Sequence, residues 1–249
     1  IFEDLEKRKI QKSDLITFSR NASRKPASKL GIPEGKTISF SNAIKALAVK
    51  SANDVATAVA EHLEGSEEKF AQRMTEKAKD LGMMSTTFKN ASGLHNNYQK
   101  TTAFDMAILA LRMIKDFPEE SKVFALKEFH FEGQKYTSHN KLLFSYSGTK
   151  GMKTGYTSMS GFNLISYVER GSKKIISVVM GGSSSNSRNS NMVKVLDKSF
   201  KIPSIPIQLP KMNPYLNSNK NQIREDNKYL INESKTYTSR FDTLSNRVD

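Results

Sequence analysis

The heptapeptide GMKTGYT, residues 151–157, opens the block of sequence that decides the fold. Three segments of this block have the pattern of strands, at 152–157, 162–168 and 174–180. The last two are joined by the short Arg170-Gly171-Ser172 connection, which favours antiparallel pairing. The block therefore predicts an antiparallel sheet, with a further helix around Met192 and Leu196 packed on it.

The tripeptide Lys153-Thr154-Gly155 within this block has the chemistry of a carboxylate-binding site. An ammonium and a hydroxyl on alternating positions of an edge strand can face one ligand, and Gly155 allows the backbone of that ligand to approach closely. An ordinary lysine-rich strand is the alternative interpretation of the tripeptide taken alone.

Helices are predicted upstream of the sheet, after a short strand at 15–18. Ser39 or Ser41 can cap the first helix, Ser66 caps a later one that stops at Gly82, and Thr101 or Thr102 opens another. We expect three apolar stripes to pack together: Ile44, Leu47 and Ala48; residues 55–63; and Phe70, Met74, Ala78 and Leu81. Phe129, Phe131 and Tyr136 around Gly133 predict a β-hairpin.

Ser51-Ala52-Asn53 interrupts the first two helices. Its hydroxyl and carboxamide can converge on a cleft, where Ser51 would relay a proton and Asn53 would bind a substrate amide. The alternative is structural: Ser51 ends one helix, and Asn53 or Asp54 caps the next.

Composition excludes several kinds of site. The 249 residues contain no Cys and four His, which removes disulfides, thiolate nucleophiles and Cys-bound metals and leaves little material for a histidine metal site. We therefore predict no metal and no cofactor. The formal net charge of +14 indicates an anionic neighbour, such as a membrane or wall-polymer surface. No aromatic-interleaved basic strip appears, so nucleic acid is not an expected partner.

Taken together, the Ser51 and Lys153 motifs match the order of S-x-N and K-T-G in penicillin-binding proteins and class A β-lactamases. Residues 1–200 resemble one branch of these, the low-molecular-weight D-alanyl-D-alanine carboxypeptidases. Besides the two motifs, the resemblance rests on the stretches 51–56, 65–70, 79–83, 88–94, 140–143 and 176–181.

This resemblance implies a fold and an activity. The expected fold is α/β of the β-lactamase/penicillin-binding (transpeptidase-like) class: an antiparallel sheet flanked by helices, with an inserted mainly helical subdomain. The expected activity is that of a serine-type carboxypeptidase, whose substrate is the peptidoglycan pentapeptide and whose inhibitors are β-lactam antibiotics. Carboxypeptidase and endopeptidase action both stay open.

The resemblance also assigns roles to residues. Ser51 would relay a proton to the leaving amine, and Asn53 would hold the substrate amide. Lys153, Thr154 and Gly155 would bind the terminal carboxylate, and the Tyr156 N–H would donate to the oxyanion. Arg188 would either add positive potential near this end of the cleft or lie in a solvated loop. Ser92-Gly93-Leu94 receives no chemical role and is interpreted as a turn.

The nucleophile is the departure from the family. The S-x-x-K tetrad occurs at Ser66, Ser138 and Ser147, and none of these has the position that the resemblance requires. We expect the true tetrad upstream of residue 1, along with any signal peptide for a periplasmic or other extracytoplasmic location. The chain alone is therefore predicted to be inactive.

Two domains are expected: a penicillin-recognising domain at 1–202, lacking its N-terminal part, and a polar tail at 203–249. The tail is interpreted as disordered or as the remnant of a second domain. Two rival functions remain, a non-catalytic penicillin-fold binding protein and a basic interaction protein.

Overall fold

A computed structural model describes residues 1–203 of the chain. It begins with short elements: α1 (Phe2–Glu6), β1 (Leu15–Thr17), α2 (Arg20–Ser23) and β2 (Thr37–Ser39). β1 and β2 pair antiparallel, with Ile16 opposite Ile38. The strand predicted at 15–18 is confirmed as β1. Sequence analysis missed α2 and β2, because elements of three or four residues are too short to show a period.

The helical region follows β2. It contains α3 (Phe40–Lys45), a π-helix (Ala46–Lys50), α4 (Asn53–Glu64), α5 (Glu67–Asp80), α6 (Ala103–Asp116) and a 3₁₀-helix (Glu120–Ala125). Ser39, Ser66 and Thr102 each accept a hydrogen bond from the backbone N–H three residues later. These predicted N-caps are confirmed, and α4 ends at Gly65, whose backbone is left-handed.

Strands dominate the remainder of the described chain: β3 (Glu128–Phe131), β4 (Gln134–Thr137), α7 (Leu142–Ser145), β5 (Thr149–Thr157), β6 (Gly161–Arg170), β7 (Lys173–Gly182) and α8 (Ser185–Lys201). β3 and β4 form the predicted hairpin. The last three strands form an antiparallel sheet in the order β5-β6-β7, so β5 is an edge strand. The predicted strand–strand–helix block is therefore confirmed.

Of the four apolar clusters among the described residues, the two largest hold most of these elements together. The larger lies among β1, β2, α3, α4 and the β3–β4 hairpin, and its largest fully buried side chains are Phe18 and Phe40. The smaller lies between the β5-β6-β7 sheet and α8, around Leu164, Met192 and Leu196. Val195, on the same helix, is 41% exposed.

The first of the three predicted apolar stripes is only half-buried. Phe40, Ala43, Ala46 and Val49 are the side chains that α3 and the π-helix bury in the core. Ile44, Leu47 and Ala48 line a cleft together with Phe70 and Met74, and Leu47 also packs against the core. The π-turn itself was not predicted, because it departs from the regular 3.6-residue period.

The architecture agrees with the predicted class, because antiparallel strands are flanked by helices and α3–α6 lie in sequence between the early strand pair and the later sheet. Within residues 1–203, no helix combines the length and apolar character needed to cross a bilayer. The tail predicted at 203–249 lies outside the described residues, apart from Pro203.

Candidate active site

Ser51 occupies a sharp reversal between two helices. The π-helix ends at this residue, whose backbone is left-handed (φ 58°, ψ 46°), and α4 begins two residues later at Asn53. For a residue with a Cβ, this conformation is less favourable than the right-handed one by about 1 kcal/mol or more. The reversal turns the Ser51 side chain away from the helix axis and toward β5.

Lys153 meets Ser51 from the edge strand. Its ammonium donates to Ser51 Oγ at 2.7 Å, although the two residues are 102 positions apart, and also to the Thr154 carbonyl at 2.9 Å. Burial lowers the pKa of Lys153 to about 8. The structure therefore brings together the two motifs that the sequence placed on separate elements.

Asn53 is nearly buried beside this pair. Its N–H donates to the Ser28 carbonyl at 2.7 Å, and its side-chain Nδ2 donates to the Pro26 carbonyl at 3.0 Å. A carboxamide has two N–H donors and an acceptor oxygen. The bond to Pro26 fixes the side chain and occupies one of those donors.

Gly155 and Tyr156 continue β5 beyond Lys153 and Thr154. A Cβ built on Gly155 would meet only Asn163 Cβ, at an ordinary 4.0 Å, so packing within the protein does not require glycine here. The space is consistent with close approach of a ligand backbone. The Tyr156 ring is 60% exposed and packs on Phe162, with 4.3 Å between ring centroids.

Positive charge collects around this end of the strand. The pKa of His139 is lowered, first by burial and then by the positive charges of Lys153, Lys50, Lys141 and Arg188. A field of this sign favours an anionic ligand group.

Arg188 is buried in the first turns of α8, so the solvated-loop alternative for it is wrong. Its guanidinium donates to Asn189 Oδ1 at 3.0 and 2.8 Å and contacts the Asn163 carbonyl at 3.5 Å. Asn163 pairs with Gly155 across the sheet. Arg188 therefore contacts β6 at the residue that pairs with Gly155.

A cleft of about 480 Å³ contains the Ser51–Lys153 pair and Asn53. The rest of its lining is largely apolar, with contributions from Leu47, Phe70, Met74, Met83, Leu109, Met113 and Phe124. Ala91 and Ser92 also line it, so the turn that received no chemical role belongs to the wall of the cleft. The sequence Ser92-Gly93-Leu94 gave no signal of that position.

The S-x-x-K serines, all within the described part of the chain, do not line this cleft. Ser66 caps α5 by accepting from the Lys69 N–H at 3.2 Å. Ser138 is buried and accepts from the Asn140 N–H at 3.2 Å, and the Ser147 carbonyl accepts from Arg170 Nε at 3.0 Å. Across residues 1–203, no three His, Asp or Glu side chains converge to form a possible metal site.

Comparisons with known proteins place this geometry in context. The family model described as D-alanyl-D-alanine carboxypeptidase matches residues 1–184. The chain is 34% identical to D-alanyl-D-alanine carboxypeptidase DacF of Bacillus subtilis over 205 residues, which cover 80% of this chain and 52% of the relative. It is also 34% identical to DacC of Escherichia coli over 200 residues, covering 78% and 50%. The chain thus spans about half the length of these curated relatives.

Solved structures show the same likeness. Penicillin-binding protein 5 of Haemophilus influenzae superposes with a TM-score of 0.77 at 32% identity, covering 80% of this chain and 59% of that one. Penicillin-binding protein D2 of Listeria monocytogenes, in its cefotaxime-bound form, superposes with a TM-score of 0.73 at 30% identity, covering 80% and 81%. The predicted β-lactamase/penicillin-binding fold class is confirmed.

Proposed function

Because the chain belongs to the D-alanyl-D-alanine carboxypeptidase family, we propose that it takes part in serine-type hydrolysis of the terminal D-alanyl-D-alanine bond of peptidoglycan stem peptides. The observation that carries this proposal is the 2.7 Å hydrogen bond from Lys153 Nζ to Ser51 Oγ. It joins a cation suited to a terminal carboxylate with a hydroxyl that can pass a proton.

The residues of the cleft divide the reaction between them. Lys153 and Thr154 bind the terminal carboxylate, and Asn53 holds the substrate amide. The acylating serine attacks the penultimate carbonyl while the Tyr156 N–H stabilises the oxyanion.

Breakage of the C–N bond then requires a proton for the departing amine. Ser51 gives its hydroxyl proton to that amine and regains one from the Lys153 ammonium, which takes up in turn the proton that the acylating serine loses on attack; a pKa of about 8 suits such exchange near neutrality. Water hydrolyses the resulting acyl-enzyme, which releases the shortened peptide.

Carboxylate recognition by Lys153 is tested with the tripeptide diacetyl-L-Lys-D-Ala-D-Ala and its C-terminal amide, by titration calorimetry on the full chain. Wild type should prefer the free acid, since loss of a charged hydrogen bond is worth about tenfold or more in affinity. K153A should bind both peptides equally weakly, and S51A should retain the preference. Equal affinity of the wild type for both peptides would remove the basis of the proposal.

The acylating serine, we propose, is none of the three S-x-x-K serines of this chain, since none of them lines the cleft. Labelled penicillin should leave no covalent band on a denaturing gel of the chain, whereas the chain extended upstream through a family tetrad should be labelled. Labelling of the present chain at Ser66, Ser138 or Ser147 contradicts this. An extended chain that binds the tripeptide but is not acylated indicates the non-catalytic binding protein.

We also propose β-lactams as ligands of the assembled site and an extracytoplasmic place of action, where peptidoglycan lies. The net charge of +14 supports association with an anionic wall or membrane surface. Such association should weaken steeply with added salt, because exposed charges are screened over about 10 Å at 0.1 M.

A further inference from the structure

The carboxylate of Glu67, to which the proposed reaction assigns no role, joins three segments around the cleft. Its Oε2 accepts from Lys25 Nζ at 2.7 Å. Its Oε1 accepts from Thr57 Oγ1 at 3.2 Å and from the Ala91 N–H at 3.1 Å. The side chain is only 13% exposed, so these bonds are partly shielded from water.

The first connection leads to Asn53. Lys25 immediately precedes Pro26, whose carbonyl accepts from Asn53 Nδ2 at 3.0 Å. Thr57 lies one turn beyond Asn53 on the same helix, α4. Glu67 therefore contacts both the segment that orients the Asn53 amide and the helix that carries it.

The second connection leads to the turn at 90–94. Asn90 closes this turn, because its Oδ1 accepts from the Gly93 N–H at 2.7 Å and its Nδ2 donates to the Leu94 carbonyl at 2.8 Å. Ala91 and Ser92 are the members of the turn that line the cleft. The bond from the Ala91 N–H to Glu67 thus ties a closed turn to the start of α5.

We propose that Glu67 is a positioning residue, whose single carboxylate fixes both Asn53 and the 90–94 turn at the wall of the cleft and thereby sets the affinity for the substrate peptide. The proposal rests on the proposed function for the identity of that peptide. The coupling of the two walls through Glu67 stands on the contacts alone.

Glu68 provides a matched control. Both glutamates lie in the first turn of α5, where an acid interacts favourably with the helix dipole. Glu68 is exposed, however, and the bonds to Lys25, Thr57 and Ala91 belong to Glu67. E67Q and E68Q remove the same charge from the same helix turn, so any difference between them comes from the contribution of that charge to those bonds.

The coupling is tested by amide proton exchange, measured by NMR on the full chain. E67A should accelerate exchange at the Ala91 N–H and shift the side-chain amide signals of Asn53. K25M should shift the Asn53 signals alone, because the carboxylate remains available to Ala91. E68Q should leave both unchanged. Wild-type behaviour of Ala91 and Asn53 in E67A overturns the proposal.

The functional consequence is measured with diacetyl-L-Lys-D-Ala-D-Ala by titration calorimetry, well below the melting temperature of every variant. E67A should weaken binding by about tenfold, E67Q by less because its amide oxygen still accepts, and E68Q not at all. A purely structural role would lower Tm without changing the Kd of the folded protein, and that result overturns the proposal. Failure of wild type to bind the tripeptide contradicts the proposed function instead, while the exchange data still decide the coupling.

Discussion

At the scale of a single residue, the proposed recognition of a carboxylate depends on the protonation state of Lys153. Burial lowers its pKa to about 8, so the ammonium form is complete well below that pH and is lost as the pH rises through it. We expect the Kd of diacetyl-L-Lys-D-Ala-D-Ala to be flat below pH 7 and to rise about tenfold per pH unit above 8, as expected for one linked proton. Calorimetry between pH 6 and 10 measures the profile.

The matched variant is K153R, because a guanidinium stays charged over this whole range. Its affinity is expected to be lower but independent of pH. A K153R profile that bends at the same pH as wild type would assign the transition to another group.

The same burial destabilises the fold. A fall of the pKa from 10.5 to about 8 corresponds to about 3 kcal/mol, a penalty present below pH 8 and relieved as the pH rises toward 10.5. Allowing for the lost hydrogen bonds, K153M should raise the free energy of unfolding by about 2 kcal/mol at pH 7. Urea denaturation at pH 7 and pH 10 should show the gain shrinking at the higher pH, and K174M, at an exposed position, should show none.

Individual site residues differ in how far sequence can predict them. Ser51, Asn53 and Lys153 stand in short motifs whose order matches a family, and the structure places them in one cleft. An acidic residue is common in the first turn of a helix, so the sequence around Glu67 already has a local explanation. It gives no indication of the bond from the Ala91 N–H, 24 residues away. Such roles depend on contacts that no local pattern contains.

At the scale of elements, the segment 25–31 holds the start of α4 in place. Asp54, fully buried, accepts from the Leu30 N–H at 3.1 Å and from the Gly31 N–H at 2.8 Å, and Ser28 Oγ donates to the Lys50 carbonyl at 2.8 Å. D54A leaves two backbone donors without their acceptor. We expect it to lower the free energy of unfolding by about 3 kcal/mol, measured by urea denaturation.

D54N and D80N are the controls for D54A. Asn keeps an acceptor oxygen, so D54N should be less destabilising than D54A, while exposed Asp80 should tolerate its change within about 0.5 kcal/mol. Equal losses for D54A and D80N would show that the segment 25–31 is held by something else.

Elements with capping residues and several turns of periodicity, such as α5 and α6, were predicted close to their observed bounds. The π-helix was not, since its sequence ALAVK is also a good α-helix. Only tertiary contacts select the wider turn there.

At the scale of the whole molecule, ion pairs attach the first helix to a helix far along the chain. Arg73 on α5 donates at 2.6 Å both to Asp4 Oδ1 and to Glu64 Oε1, and Lys77 pairs with Glu3. Asp4 is 2% exposed, so R73M leaves a buried carboxylate without its main partner. We expect a loss of about 3 kcal/mol in the free energy of unfolding, read from chemical denaturation.

The control for R73M is K122M, which breaks the ion pair between Lys122 and Glu119. Both of these side chains are more than two-thirds exposed. Its effect should be under about 1 kcal/mol. If R73M is no more destabilising than K122M, α1 is held by its apolar contacts rather than by charge.

Neighbouring strands joined by tight turns were predictable, because the Gly133 hairpin and the β6–β7 connection are local. The contact between the β5 edge and the end of the π-helix joins residues far apart in the chain. Only the resemblance to a family predicted that these two elements meet. The overall charge likewise predicts an anionic partner without saying which surface meets it.

The wide turn before Ser51 has a consequence for how this chemistry can be gained or lost. Each residue advances an α-helix by about 100°, so removing one residue from 46–50 would restore regular winding and swing the following hydroxyl away from the lysine. A single in-frame codon deletion in this stretch would therefore break the Ser51–Lys153 hydrogen bond on which the proposed proton relay depends.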